Sequence, residues 1–285
     1  MVIEGTCYIN REREKGEKGR VCVTGAGGYC ASWVVKLLLS KGYTVHETVR
    51  DPDDEKKNGH LKKMENSSNL QLFHADVMDY DSLSRAISGC EGVFHAASPV
   101  PSGQLTDFQK ELVDPPVKGA LNVLKASHEA GIKRVVLVSS MAAVVNNPKW
   151  PKDIHMDETC WSEMPSCKTA EVTRDYPRLE GKIHALVDVR DVAEALLLVY
   201  ENPKAAGRYI WVAYSLKFRE MAEIIKRRYP NFEYTTEFTD EKGNKEFNSE
   251  KLKSLGWKFR PLEDTLVDFV EYLHEAGLLK WKESF

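Results

Sequence analysis

The chain has 285 residues, 42% apolar and 29% charged, with 40 basic and 43 acidic side chains. That length supports one large α/β domain or two smaller ones, each with a real core, and excludes disordered and fibrous classes. A net charge of -3 argues against nucleic acid or an anionic membrane as partner, and no apolar run reaches the roughly 18 to 20 residues of a membrane span.

The opening stretch, residues 1–19, mixes both charge signs and lacks the apolar segment of a secretory leader, so it reads as a solvated tail. Without a leader, six cysteines read as reduced thiols in a cytoplasmic protein. Cys160 and Cys167 share one loop, and two ordinary thiols is the favoured reading of them. No Cys/His cluster has zinc spacing, so no metal is expected.

The first strand is Arg20–Thr24, and Tyr29–Lys41 follows as a helix with Trp33, Val34, Leu37 and Leu38 on one face. Strands are predicted at Tyr43–Val49, Leu70–Ala75, Gly92–Ala97 and Val135–Ser139. Helices are predicted at Asp79–Ser88 and over Phe108–Ala130, the latter with a break near Pro115-Pro116. This alternation predicts an α/β fold, a doubly wound parallel sheet with helices on both faces. The rhythm stops over Asn146–Gly181, which carries Pro148, Pro151, Pro165 and Pro177. It resumes with strand His184–Val189 and helix Val192–Tyr200. Strand Tyr209–Val212, helix Leu216–Tyr229 and helix Leu262–Ala276 form a smaller C-terminal portion.

Between the first strand and first helix lies Thr24-Gly25-Ala26-Gly27-Gly28-Tyr29-Cys30-Ala31. Gly25 permits the turn, Gly28 lets backbone approach a pyrophosphate, and Ala31 allows close helix packing. Strand and amphipathic helix on either side give this glycine pattern the context of a dinucleotide site. The second strand ends at Arg50 rather than at an acidic residue, with Lys57 beyond it. Cations there suit the 2′-phosphate of NADP(H) over the bare ribose of NAD. Asp76-Val77, after the third strand, is placed to flank adenine or simply to cap the strand.

These residues, with Phe94-His95-Ala96-Ala97-Ser98-Pro99-Val100, Val138-Ser139-Ser140, Asp157-Glu158-Thr159-Cys160-Trp161-Ser162 and Val187-Asp188-Val189-Arg190-Asp191-Val192-Ala193, resemble one family. It is the extended short-chain dehydrogenase/reductase family, in its cinnamoyl-CoA reductase and dihydroflavonol reductase group. Gly207-Arg208-Tyr209-Ile210 and Phe247-Asn248-Ser249 with Lys251-Leu252 are similar to its C-terminal motifs. The resemblance implies NADPH-dependent reduction of a phenylpropanoid thioester or carbonyl, with a small phenolic or acyl-CoA substrate. It implies that Gly25, Gly27, Gly28, Tyr29 and Cys30 line the pyrophosphate, and that Arg50 and Lys57 hold the 2′-phosphate. Asp76 and Val77 would flank the adenine, Ala96, Ala97 and Ser98 would run beside the nicotinamide ribose, and Ser140 would hydrogen-bond the substrate carbonyl. The expected layout is a tail (1–19), an NADP-binding Rossmann domain (20–203, interrupted near 146–183 and short of one strand and helix) and a substrate-side portion (204–285).

One departure is large. The family places a Tyr-x-x-x-Lys helix after the Asp-Glu-x-Cys-Trp-Ser loop, where the Lys lowers the Tyr pKa and the Tyr protonates the carbonyl oxygen. Here Cys167-Lys168 runs on through Thr169-Ala170-Glu171-Val172 without that helix. The only formal match, Tyr200-Glu201-Asn202-Pro203-Lys204, is broken by Pro203. Ser140 is thus the catalytic remnant, and His155, Tyr176 and His184 are the residues to test as substitutes. The expected chain is a reductase with impaired catalysis. The alternative is an inactive paralogue that binds nucleotide, self-associates, or pairs with an intact relative. A sheet edge and apolar face left without partners are expected to lower its stability.

Overall fold

The architecture is that of a computed structural model, which describes residues 2–4, 18–98, 107–151, 153–163, 183–232, 234 and 246–279. The chain divides into two compact units, residues 1–139 with 192–208, and residues 140–191 with 209–285. The second unit takes in the whole stretch in which the strand-helix rhythm fails, whereas the sequence reading places a boundary at 203/204.

The first unit is built on a six-stranded sheet. Its elements are β1 Val2–Glu4, β2 Arg20–Thr24, α1 Tyr29–Ser40, β3 Thr44–Val49, α2 Glu55–Lys62, β4 Leu70–His74, α3 Tyr80–Ile87, β5 Gly92–His95, α4 Asp114–Glu129 and β6 Arg134–Leu137. The strand order is β1-β6-β5-β2-β3-β4. Strands β2 to β6 run parallel, as the alternating pattern requires. Cys22, Val93 and Val135 pack under α3 and α4 with Leu83, Ile87 and Val123. Strand alternation sends Val21 and Val23, both wholly buried, to the other face.

Two expectations for this unit change. The charged tail is not all tail, because Val2–Glu4 pairs antiparallel with β6, Val2 opposite Val136 and Glu4 opposite Arg134. The prolines do not break the long helix either. Gln109–Val113 forms a wide π-helical turn, and α4 then starts with both prolines in its first turn, where a missing N–H costs nothing.

In the second unit come α5 Ala142–Val145, β7 Ile183–Leu186, the start of α6 Val189–Glu201, β8 Tyr214–Lys217, α7 Phe218–Arg228, α8 Glu250–Lys253 and α9 Leu262–Glu275. β7 and β8 pair antiparallel. Leu216, Met221 and Leu266 make one core cluster, and Val144, Met156, Cys160, Ile210 and Val212 another. The predicted strand Tyr209–Val212 is irregular, with the real strand just after it. Ile210 and Val212 are buried as an alternating strand would bury them. Their N–H groups, however, go to side chains, the Glu158 carboxylate (2.9 Å) and the Ser249 hydroxyl (2.9 Å). A backbone satisfied in this way needs no ladder.

The family-like motifs of this unit turn out to be its pins. Asp191, buried at the start of α6, accepts from the Arg260 backbone at 2.8 Å and pairs with its guanidinium. The Trp257 indole donates to the Asp191 carbonyl at 3.0 Å. Arg190 bridges Asp188 and Asp268, each at 2.6 Å. Ser249 returns a hydrogen bond to the Val212 carbonyl at 3.0 Å.

Candidate nucleotide-binding site

At the carboxyl ends of β2, β3, β4 and β5 the first unit opens a cleft of about 460 Å³. Gly25, Gly27, Gly28, Arg50, Lys57, Asp76, Val77, Ala96, Ala97 and Ser98 all line it. Tyr29 and Cys30 do not. Tyr29 is 72% exposed, and burial in α1 raises the Cys30 thiol.

The glycines are dictated by geometry. Gly25 has φ +78°, and a Cβ there would lie 2.7 Å from the Ala97 Cα, so both backbone and space demand glycine. A Cβ on Gly27 would press the Asn58 amide oxygen at 3.2 Å. Thr48 holds the turn from below, its carbonyl accepting from the Gly25 N–H at 3.1 Å and its hydroxyl at 3.3 Å. Gly28 is the N-cap of α1. No side chain caps that helix, and no acid sits in its first turn, which leaves its amide end suited to an anion.

The cationic rim is asymmetric. Arg50 is exposed and makes no ion pair among the described residues. Lys57 is engaged, its ammonium 3.2 Å from Asp54. Asp54 also accepts from the Lys57 N–H at 3.1 Å as N-cap of α2. These bonds to Lys57 hold its carboxyl below the ordinary range.

The other walls are fixed by residues that sequence reasoning passed over. Asn58, buried, donates to the Asp51 carbonyl at 2.6 Å and ties the β3–α2 loop beside Gly27. Asn122 donates to the Val77 carbonyl at 2.9 Å, and only a glycine at 119 lets α4 approach Val77. Asp76 accepts from the Met78 N–H at 2.8 Å, the strand-cap arrangement. Thr24 meets the His95 ring at 2.7 Å and accepts from the Ala97 N–H at 3.2 Å. Burial lowers His95 to about 4, so the imidazole is neutral at physiological pH. None of these contacts has a local sequence signal, although Thr24 directly precedes the glycine motif.

The residues fit a dinucleotide: a glycine cradle that a Cβ would fill, an uncapped helix start, and a free guanidinium at the end of β3. Among the described residues no group of three His, Cys, Asp or Glu side chains is placed to hold a metal.

Tyr200 and Lys204 do not form a catalytic pair. Tyr200 packs on Phe94 with ring centroids 5.0 Å apart. A Cβ on Gly92 would fall 2.5 Å from its hydroxyl, so that hydroxyl lies at the start of β5, opposite the end that carries Ala96–Ser98. Lys204 is exposed beyond the helix.

In the second unit Ser140 is exposed, and its hydroxyl accepts from the Ala142 N–H at 3.1 Å. Ser162 braces the same turn, donating to the Ala142 carbonyl at 2.6 Å and accepting from the Asn146 N–H at 2.9 Å. Buried Cys160 points its thiol at the Val144 carbonyl. His155 is an exposed partner of Glu246 at 2.9 Å, and the His184 ring stacks on Phe218 at 4.0 Å. Tyr176 and Cys167 lie outside the described residues.

Residues 25–164 match the NAD(P)H-binding family profile. Cinnamoyl-CoA reductase 1 of Petunia hybrida is 37% identical over 316 aligned positions, which take in 91% of this chain and 93% of that one. The chain belongs to the extended short-chain dehydrogenase/reductase family, in its cinnamoyl-CoA reductase and dihydroflavonol reductase group. Dihydroflavonol 4-reductase of Dianthus caryophyllus is 32% identical, with 97% of this chain and 92% of the relative covered. Vestitone reductase of alfalfa superposes with a TM-score of 0.77 at 28% identity, over 92% of this chain and all of that one. The family likeness makes this an NAD(P)H-binding Rossmann protein of reductase descent. No described helix is long and apolar enough to cross a membrane.

Proposed function

We propose that this chain binds NADPH in the first-unit cleft and reduces phenylpropanoid thioesters or carbonyls only feebly, for want of a proton donor. The carrying observation is the pairing of an intact cradle with a chain whose one Tyr-x-x-x-Lys match has its tyrosine packed at the wrong end of β5 and its lysine exposed beyond the helix. When bound, the cofactor supplies hydride to the substrate carbonyl carbon. The protein must then stabilise and protonate the oxygen. Ser140 donates at most one hydrogen bond, and no described acid or base touches its hydroxyl.

The alignment arithmetic supports a shortened chain. Of the 316 positions aligned to the petunia enzyme, 91% of 285 residues supplies about 260, which leaves more than fifty without a counterpart here. Arg50, unpaired at the end of β3, supports NADPH over NADH, and the two cofactors titrated separately into the pure protein test this. Tighter NADPH binding is expected. Equal affinities, or no binding of either, would sink the reading.

A second reading, a nucleotide-binding partner of an intact relative, is favoured by α4. Its Val117 and Leu121, one turn apart, are 53% and 61% exposed. Co-purification with a full-length relative, absent when both positions are changed to lysine, would separate it from the first.

A further inference from the structure

Strand β3, between β2 and the edge strand β4, carries a carboxylic acid into the core. Glu47 is wholly buried, and neither side-chain oxygen has a hydrogen-bond partner among the described residues. Its neighbours across the sheet are Val23 on β2 and Leu72 on β4. The adjacent His46 turns its ring toward α3, where Nδ1 lies 2.8 Å from the Ala86 carbonyl. Alternation therefore sends Glu47 to the α1 face.

Among the described residues, that face buries no cation. Helix α1 buries Ala31, Val34, Val35, Leu38 and Leu39 there. Its Lys36 is exposed over the Trp33 ring, and burial keeps the Cys30 thiol protonated. The charged residues of α2, Glu55, Lys56, Lys57, His60 and Lys62, are all exposed. Tyr43, four residues back along the chain from Glu47, donates to Glu201 on α6, which the exposed Lys18 ammonium also holds at 2.6 Å. On the opposite face the titratable groups are His46, Cys22 and Cys90. Burial holds the imidazole neutral and both thiols protonated, and Arg20, exposed at the start of β2, is the cation that acts on His46 and Cys90.

The residue after Glu47 is Thr48, which grips the Gly25 N–H with both its carbonyl and its hydroxyl. We propose that Glu47 makes the nucleotide cradle pH-responsive: as a neutral acid it lets β3 lie flat beneath the Gly25 turn, and its ionisation loosens that turn. Burial pushes its carboxyl up to about 8 from an ordinary 4.5. The unfolded chain releases this proton near pH 4.5 and the folded chain near 8. Between those values the unfolded state binds fewer protons, so stability falls as pH rises, about tenfold in the folding equilibrium per pH unit. Above 8 the contribution levels off.

The test is urea unfolding of wild type, E47L and E47Q from pH 4.5 to 9.5, with NADPH titrations at pH 7 and 9. Relative to wild type, both variants should gain about tenfold per pH unit up to pH 8 and then run parallel. E47Q should keep that profile from a lower baseline, because its buried amide lacks partners. NADPH affinity should fall several-fold more in wild type than in either variant between pH 7 and 9. Parallel stability profiles throughout would overturn the proposal. If neither variant folds, carboxyl ¹³C NMR of the wild type decides: a glutamate titrating near 8 upholds it, and all glutamates titrating below 6 overturns it. The nucleotide arm rests on the proposed cofactor reading. Absence of NADPH binding at every pH would refute that reading, while the unfolding arm would still judge Glu47.

Discussion

Arg50 and His95 show what single side chains contribute here. Arg50 stands alone at the end of β3, whereas Lys57 divides its charge with Asp54. Arg50→Ala is therefore expected to weaken NADPH by about 1–3 kcal/mol and leave NADH nearly unchanged. Paired titrations check this, and equal losses would remove Arg50 from the 2′-phosphate site. His95 is buried against Thr24 and lowered to about 4, against roughly 6.5 in an unfolded chain. Across that window the unfolded state binds the extra proton, so this group costs stability as pH falls, on the order of 3 kcal/mol in all. His95→Gln should flatten the acid limb in urea unfolding below pH 6. An unchanged limb would assign it to other groups. The glycine motif was legible in the sequence because φ at Gly25 and the spacing to Gly28 are local properties. Asn58, Thr48 and the Gly119–Val77 contact were not, because each depends on elements brought together from a distance.

Among the elements, the short ones escaped sequence reading. Val2–Glu4 is too brief to show a period, yet it covers the β6 edge that the sequence left open. The expected bare edge is thus partly answered, at the cost of a three-residue strand at the margin of the sheet. Removing residues 1–10 should expose β6 and give concentration-dependent self-association, read by light scattering. A monomeric, equally stable truncation would show that β1 carries no such role. Tyr209–Val212 misled in the opposite direction. Its alternation is real, but Glu158 and Ser249 take the N–H groups a neighbouring strand would take. The Asp191–Arg260 clamp was visible only as a motif. Asp191→Ala removes the carboxylate that pairs with the Arg260 guanidinium and accepts from its backbone N–H, and should cost about 3 kcal/mol in chemical unfolding. A loss under about 0.5 kcal/mol, the range of ordinary surface substitutions, would mean the clamp is ornamental.

For the whole molecule, the doubly wound sheet was legible because buried parallel strands and amphipathic helices alternate plainly through residue 137. The division into units was not, since residues 140–191 belong with the C-terminal portion through contacts that no local pattern announces. In the proposed function, nucleotide binding has outlived efficient reduction. On the proposed reading, loss of a positioned general acid would remove roughly 10² to 10⁴ in rate, and loss of its lysine would add to that without simple additivity. The direct measurement is NADPH oxidation with feruloyl-CoA at saturating cofactor, run beside an intact cinnamoyl-CoA reductase. NADPH binding is expected, with turnover at least about a hundredfold lower than that relative. Turnover within tenfold would contradict it and reveal a proton donor elsewhere, to be located by changing His155, Tyr176 and His184 in turn.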